Sequence, residues 1–238
     1  MDARPAIPGL DDAGLVQTIS HVNLHYRSND DARAAARLLE VLGLVRAEEM
    51  PLPNGSTFFR FTTDREHLDS GAGIVYAGRV PAQLAAVQAA ARAALGVDTP
   101  QEHETVRALR AALLKDPEYN FHVGFLYNSL EQIEARMAEL QRLEREDPAF
   151  RGRMKFLVNR ATPGNAAFDA RLDASPLYKG VTRYTYGHNG VQAFVETDLF
   201  TGGPLGWGLV FELDYVLPGV DDHILARSTN ARLAPATA

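Results

Sequence analysis

Two histidines stand at matching positions of two similar stretches. His21 opens the run His-Val-Asn-Leu-His-Tyr, and His122, 101 residues later, opens His-Val-Gly-Phe-Leu-Tyr. The same offset relates Ser28 to Ser129, so the similarity extends beyond the two runs. Imidazole is a common metal ligand and titrates near neutral pH. Because the repeat makes the two histidines equivalent, we expect both to bind a metal ion. An ordinary cavity or core position is the alternative for each.

A carboxylate lies in the middle of an apolar run near the end of the chain. In residues 209–215, apolar side chains alternate with Val210, Glu212 and Asp214, which is the pattern of a strand with one buried face. A buried carboxylate without a partner is costly, so Glu212 must be paired, hydrated or bound to a cation. We expect Glu212 to bind a metal, with an ion pair to Arg183 as the alternative. Glu196 and Asp198 are rival carboxylates, for which a salt bridge or a turn contact is expected.

Composition excludes several classes of function. The chain has no cysteine, which rules out disulfides, zinc–thiolate sites and thiol nucleophiles. Its formal net charge of −6 and the absence of a basic block argue against nucleic-acid binding. No apolar run is long enough to span a bilayer, and the first residues do not resemble a signal peptide. We therefore expect a cytoplasmic protein that contacts neither nucleic acid nor membrane.

The repeat divides the chain into two modules. In each copy an alternating run passes into an amphipathic stretch, which predicts a strand followed by a helix. Three further short strands complete each unit as βαβββ. The expected divisions are an N-terminal arm at 1–17, a first module at 18–80, two inserted helices at 81–119, a second module at 120–220 and a tail at 221–238.

One local signal in the second module predicts a hairpin. Residues 181–186 and 191–198 read as two strands. Asn189 and Gly190 lie between them, and Asn-Gly supplies the positive φ angles of a tight turn. Residues 147–177 are interrupted by proline and glycine, so we expect loops there with one short strand at about 155–159.

Two βαβββ modules, each opening with His-Val and the second closing with Phe-Glu-Leu-Asp-Tyr at 211–215, resemble the vicinal oxygen chelate superfamily. That superfamily includes glyoxalases, bleomycin-resistance proteins and extradiol ring-cleaving dioxygenases. The resemblance covers about 18–78 and 120–218 and leaves the inserted helices outside. It implies an α+β, glyoxalase-like fold in which two modules form one cupped mixed sheet.

The resemblance also implies a ligand set. Carried over by position, His21, His122 and Glu212 would bind the metal. The fourth place, in residues 73–78, offers no ligand except the phenol of Tyr76, which departs from the four-ligand glyoxalase and epimerase pattern. Two histidines and one glutamate resemble the extradiol dioxygenase pattern and leave positions of an octahedral ion open. Fe(II) is then the expected ion, with Mn(II), Zn(II) or Ni(II) as substitutes.

Five further residues are candidates around the metal. Extradiol enzymes use a histidine and a tyrosine near the metal, which makes His188 and Tyr186 candidate catalytic residues. Exposure in the turn is the alternative for His188. Asn23, His25 and Tyr215 are candidate substrate-binding residues. His25 shares a strand face with His21 and is also an alternative to it as a ligand.

The sequence therefore predicts a metal-dependent enzyme, with an extradiol-type dioxygenase as the leading interpretation. Its substrate would be a catechol or another vicinal diol or enediol, and its second substrate dioxygen. A glyoxalase-like lyase or isomerase that uses Mn, Ni or Zn as a Lewis acid is the first alternative. A metal-free small-molecule binding protein is the second. A homodimer is expected by default.

Overall fold

The computed structural model describes residues 19–69, 71–185 and 187–220. The expected arm at 1–17, the expected tail at 221–238 and the candidate catalytic residue Tyr186 lie outside these ranges. No helix in the described ranges is long and apolar enough to cross a membrane.

The first module has the predicted βαβββ order. Its elements are β1 (His21–Tyr26), α1 (Ala32–Val41), β2 (Val45–Pro51), β3 (Thr57–Thr62) and β4 (Ile74–Arg79). The strands lie in the order β2-β3-β4-β1, so the first strand pairs in parallel with the last. Strand β1 alternates as predicted, with Leu24 and Tyr26 buried and His21 and Asn23 exposed.

The second module repeats this order with one added helix. Its elements are β5 (His122–Leu126), α4 (Leu130–Glu146), β6 (Met154–Asn159), α5 (Ala166–Asp173), β7 (Gly190–Gly202) and β8 (Trp207–Val216). Strand β7 lies between β6 and β8, and β5 pairs in parallel with β8. His122 pairs with Val210 as His21 pairs with Ile74, so the sequence repeat is also a repeat of register.

One long strand joins the modules into a single eight-stranded mixed sheet. The far end of β7 pairs antiparallel with β1 at His25–Thr201 and Tyr26–Phe200. The predicted α+β fold of two βαβββ modules in one glyoxalase-like mixed sheet is confirmed by this order.

The two repeat helices cover one face of the sheet. Helix α1 contacts α4, and both bury apolar side chains, among them Leu38, Leu39, Ile133 and Met137, in the main core. Strand β8 adds Leu209, Phe211 and Leu213 to that core. By the alternation of a strand, Glu212 and Asp214 must face the other side of the sheet. Both are nevertheless only 5% exposed.

The predicted pair of inserted helices is present. Helix α2 (Ala82–Ala94) and helix α3 (Glu104–Lys115) are followed by a single 3-10 turn at Pro117–Tyr119, which leads into β5. Their small apolar cluster joins Val97 and Val106 to Leu205 on the β7–β8 connection. The insertion is thus packed against the second module.

The predicted hairpin at 181–186 and 191–198 is wrong. Strand β7 is flanked by β6 and β8, so neither side of it is free for a strand at 181–186. The described part of that segment makes only an isolated bridge, between Tyr184 and Arg160.

Helix α5 was not expected. Its N-cap is Asn165, whose side chain accepts a hydrogen bond from the Phe168 amide. Phe168 and Leu172, one turn apart, are buried. An N-cap followed by this spacing was the available signal, but the flanking prolines obscured it.

Candidate metal centre

Three ligand groups converge on the sheet face opposite the repeat helices. Glu212 lies on β8 and His122 on the adjacent β5, and Glu118 comes from the 3-10 turn that precedes β5. The turn is fixed locally, because the Asp116 side chain accepts a hydrogen bond from the Glu118 amide. One ligand atom from each of the three groups lies within 4.8 Å of the other two.

The distances place His122 between the two carboxylates. Its Nε2 is 3.2 Å from Oε2 of Glu212 and 3.9 Å from Oε2 of Glu118. Glu212 is almost fully buried, whereas Glu118 and His122 keep about a quarter to a third of their side chains exposed (27% and 29%). The centre is therefore reachable from solvent on one side.

The hydrogen bond at Nδ1 of His122 determines the protonation of Nε2 in the neutral ring. Nδ1 lies 2.8 Å from the backbone oxygen of Asn120. A carbonyl can only accept, so the hydrogen-bond network assigns the proton of the neutral ring to Nδ1. Nε2 then presents a lone pair to the carboxylate of Glu212. Two acceptors at 3.2 Å require a proton or a cation between them, and a metal-binding histidine is commonly oriented in this way.

A chain of directed hydrogen bonds orients the carboxylates. Nε2 of Gln192 donates to Oε1 of both Glu118 and Glu212. Oε1 of Gln192 accepts from Nδ2 of Asn159, and Oδ1 of Asn159 accepts from Arg183. A guanidinium can only donate, so Arg183 fixes the orientation of both amides in turn. The remaining carboxylate oxygens, Oε2 of each glutamate, face His122.

The centre carries excess negative charge. In the described part of the chain, Glu118 and Glu212 have His122 as their ion-pair partner, and no lysine or arginine pairs with them. Burial raises the pKa of the Glu118 carboxyl, an effect that the bond from Gln192 opposes and the charge of Glu212 reinforces. Burial, followed by the charge of Glu212, also raises the pKa of the Asp214 carboxyl. A divalent cation would compensate this charge, so the residues present fit a metal ion.

A glycine makes room for the acidic groups. Gly124 on β5 pairs with Glu212. A Cβ at this position would lie 3.4 Å from Oδ2 of Asp214 and 4.0 Å from Oε2 of Glu212. A larger side chain would extend into the space that the two carboxylates occupy.

Two of the three predicted metal ligands, His122 and Glu212, are brought together. Glu118 was missed by sequence reasoning, although its spacing to His122, four residues, placed a carboxylate one short turn before the strand. The alternative for Glu212, an ion pair with Arg183, is not what the structure shows, because Arg183 donates to Asn159 and to the backbone oxygen of Lys115. Glu196 and Asp198 form ion pairs with Lys155 and Arg153, as expected for them.

His21, the third predicted ligand, is not part of this cluster. Its ring lies 5.2 Å from that of Tyr76, measured between centroids, and its Nδ1 is 3.4 Å from Oγ of Ser20. Tyr76 pairs with Asn23 as Glu212 pairs with Gly124. The position equivalent to Glu212 in the first module is therefore occupied by Tyr76, the one residue of 73–78 that the sequence offered as a possible ligand.

The predicted substrate-binding and catalytic residues are dispersed. Asn23 and His25 contact each other on β1, with Nδ2 of Asn23 3.3 Å from Nε2 of His25, and burial lowers the pKa of His25. Tyr215 packs against Phe168 of α5 on the helix-covered face, opposite Glu212. His188 lies 3.2 Å from the backbone oxygens of Thr162 and Pro163. None of these four residues belongs to the three-residue cluster.

Comparisons with known proteins add little to this geometry. No family model matches the chain, and no curated protein matches it. Among solved structures, the chain is similar to a possible glyoxalase from Bacillus cereus, at 17% sequence identity and a TM-score of 0.32. The match covers 85% of this chain and 100% of that one. The fold is defined by the strand order and register of the sheet.

Proposed function

We propose that this protein is a metal-dependent enzyme that acts on a small molecule through a pair of neighbouring oxygen atoms. Glu118, His122 and Glu212 hold the metal ion. One observation carries the proposal. The ring proton of His122 is on Nδ1, so its unprotonated Nε2 faces two carboxylates, and no lysine or arginine in the described ranges pairs with either of them.

The ligand chemistry limits which ions suit the site. One imidazole and two carboxylates form a mostly oxygen set, which suits Mn(II), Fe(II) or Zn(II) better than soft ions. Three protein groups leave other coordination positions for solvent or substrate. When bound, such an ion supplies a Lewis acid that polarises an oxygen atom of the substrate.

The protein residues contribute orientation. Gln192 holds one oxygen of each carboxylate, which leaves the other oxygens of Glu118 and Glu212 directed at His122. The carbonyl of Asn120 keeps the proton of His122 on Nδ1. These hydrogen bonds orient the ligand groups toward one another, which is how surrounding residues preorganise a metal site.

Two reaction classes follow from the choice of ion. Lewis-acid lyase or isomerase chemistry with Mn(II), Zn(II) or Ni(II) is supported by Glu118, which gives the centre a second carboxylate instead of a second imidazole. Extradiol-type oxidation of a catechol with Fe(II) and dioxygen is supported by the equivalence of His21 and His122 in strand register. Of the two, the geometry of the described residues favours the Lewis-acid class.

Metal analysis tests the proposal. The protein, purified without added metal and then titrated with Mn(II), Fe(II) and Zn(II), should bind one ion per chain. His122→Ala and Glu212→Gln should lose it, whereas His67→Ala, which removes a histidine from an exposed loop, should not. Oxygen uptake with catechol by the iron-loaded protein would select the dioxygenase class. A protein that binds no ion under any of these conditions would be a metal-free binding protein, and the proposal would be wrong.

A further inference from the structure

The inserted helix α3 forms one wall of a pocket beside the candidate metal centre. The pocket has a volume of about 480 Å³, within the range of small-molecule sites. Leu113 and Leu114 of α3 line one side, and Phe194, Leu157 and Val210 of the sheet line the other. Trp207, the single tryptophan of the chain, also lines it.

The pocket lies on the same face of the sheet as the metal centre and next to it. Val210 pairs with His122, and Phe194 pairs with Glu212. Directly paired residues point to the same face of a sheet, so the pocket floor and two of the ligand groups share one face. Asn120, whose carbonyl holds His122, and Pro117, which precedes Glu118, line the pocket as well.

The charged groups at the pocket are already paired. Lys155 lies 3.3 Å from Glu196, and Arg110 pairs with Asp98 and Glu102 while its guanidinium stacks over Trp207. Both cations thus already have carboxylate partners within the protein. The remaining surface is apolar and partly aromatic, which favours a neutral, flat body.

We infer that the substrate carries a neutral aromatic or similarly flat apolar body that lies between α3 and the sheet. Its oxygen pair would point toward Glu118, His122 and Glu212. This inference rests on the proposed function for the position of the oxygen pair, but the apolar contacts stand independently of the metal. Helix α3 thereby acts as a specificity-determining element of the site.

Trp207 provides a direct measurement of occupancy, because it is the only tryptophan. Quenching of its fluorescence would be followed with catechol, 4-phenylcatechol, 3,4-dihydroxybenzoate and biphenyl, with and without Mn(II). We expect 4-phenylcatechol to bind about tenfold or more tightly than catechol, because it buries an additional ring. The added carboxylate of 3,4-dihydroxybenzoate should give no gain over catechol.

A matched pair of variants on α3 tests whether the ligand binds in this pocket. Leu113→Glu places a charge in the pocket wall and should weaken 4-phenylcatechol about tenfold or more, since burial of an unpaired charge is costly. Leu109→Glu adds the same charge to an exposed position of α3 that does not line the pocket, and should have no effect. Both variants should retain the metal content of the parent protein.

The outcomes separate the two proposals. If biphenyl quenches Trp207 and Leu113→Glu abolishes this, the pocket assignment holds even when no metal binds and the proposed function fails. If 4-phenylcatechol binds no more tightly than catechol, or if both variants weaken it equally, the pocket assignment is overturned. If the protein still binds metal when the pocket assignment is overturned, the proposed function remains intact.

Discussion

Replacement of Glu118 by glutamine should stabilise the metal-free protein and reduce the stabilisation that a bound metal provides. In the metal-free protein, Glu118 and Glu212 share one amide donor, and their ligand atoms lie within 4.8 Å of each other. Two unit charges no more than 4.8 Å apart in an effective dielectric of about 20 repel by at least about 3 kcal/mol. Glutamine keeps the shape and an acceptor for Gln192 but removes the repulsion.

The free energy of unfolding should therefore rise in Glu118→Gln when metal is absent. Burial raises the pKa of the Glu118 carboxyl, the direction expected if its charge is unfavourable in the folded protein, and we expect a gain of about 1–3 kcal/mol. With a metal ion at 100 times its dissociation constant, the parent protein should gain about 2.7 kcal/mol by mass action. The variant, lacking one ligand, should gain much less.

Urea unfolding at neutral pH, with chelator and with metal, measures both effects. Glu48→Gln is a suitable control because it removes a carboxylate from an exposed position of β2, and it should alter neither value. The reasoning is refuted if Glu118→Gln retains the full stabilisation by metal. It is also refuted if the metal-free variant is destabilised by more than about 1 kcal/mol, which would mean that the carboxylate has net favourable contacts.

Three further predictions concern residues near the centre and on β1. Gln192→Leu removes the amide that donates to both glutamates and should weaken metal binding about 10–100-fold, as for other groups that orient metal ligands. The affinity would be measured by titration against a chelating indicator. An unchanged affinity would mean that the amide has no orienting role. His21→Ala should leave metal affinity unchanged in the same titration, whereas loss of the metal would restore His21 to the ligand set that the sequence predicted. The imidazole of His25 should titrate below pH 6.5 in a ring-proton NMR titration, because burial disfavours its charged form. The pKa of His25 is then higher in the unfolded state than in the folded state. Its contribution to stability is therefore complete above the unfolded-state pKa of about 6.5 and is lost as the pH falls through the lower folded-state pKa.

Much of the fold could be predicted because the sequence repeat also preserves strand register. The two histidines that the offset of 101 residues relates pair with equivalent positions of the last strands of their modules, Ile74 and Val210. Alternation of apolar residues then assigned each side chain of β1 and β8 to a face. Both signals are local or periodic, and periodicity is what a single sequence shows most clearly.

The prediction failed where an outcome depended on contacts between distant segments. The placement of β6 along β7 excludes a strand at 181–186, but the turn signal at Asn189 and Gly190 contains no information about that competition. The distance between His21 and His122 is set by how the two modules join, at the pairing of β7 with β1. Short pairings of this kind leave no periodic signal in the sequence.

The comparison of equivalent positions explains why the second module holds the candidate centre. At the equivalents of Gly124 and Glu212 the first module has Asn23 and Tyr76. Neither residue is a carboxylate, and no glycine makes room for one. His21 therefore faces an aromatic ring, whereas His122 faces a carboxylate.

The inserted segment then completes what the second module begins. His122 and Glu212 supply two ligands from the repeat, and Glu118 supplies the third from the turn that ends the insertion. Because α3 lies just before that turn, the segment that brings Glu118 to the metal also brings Leu113 and Leu114 over the sheet face. The end of α3 is bound by Arg183, which donates to the Lys115 carbonyl and also begins the hydrogen-bond chain to both glutamates. Ligand geometry and pocket wall thus depend on one residue, so Arg183→Met should weaken metal and 4-phenylcatechol binding together. An effect on only one of them would show that the two are independent.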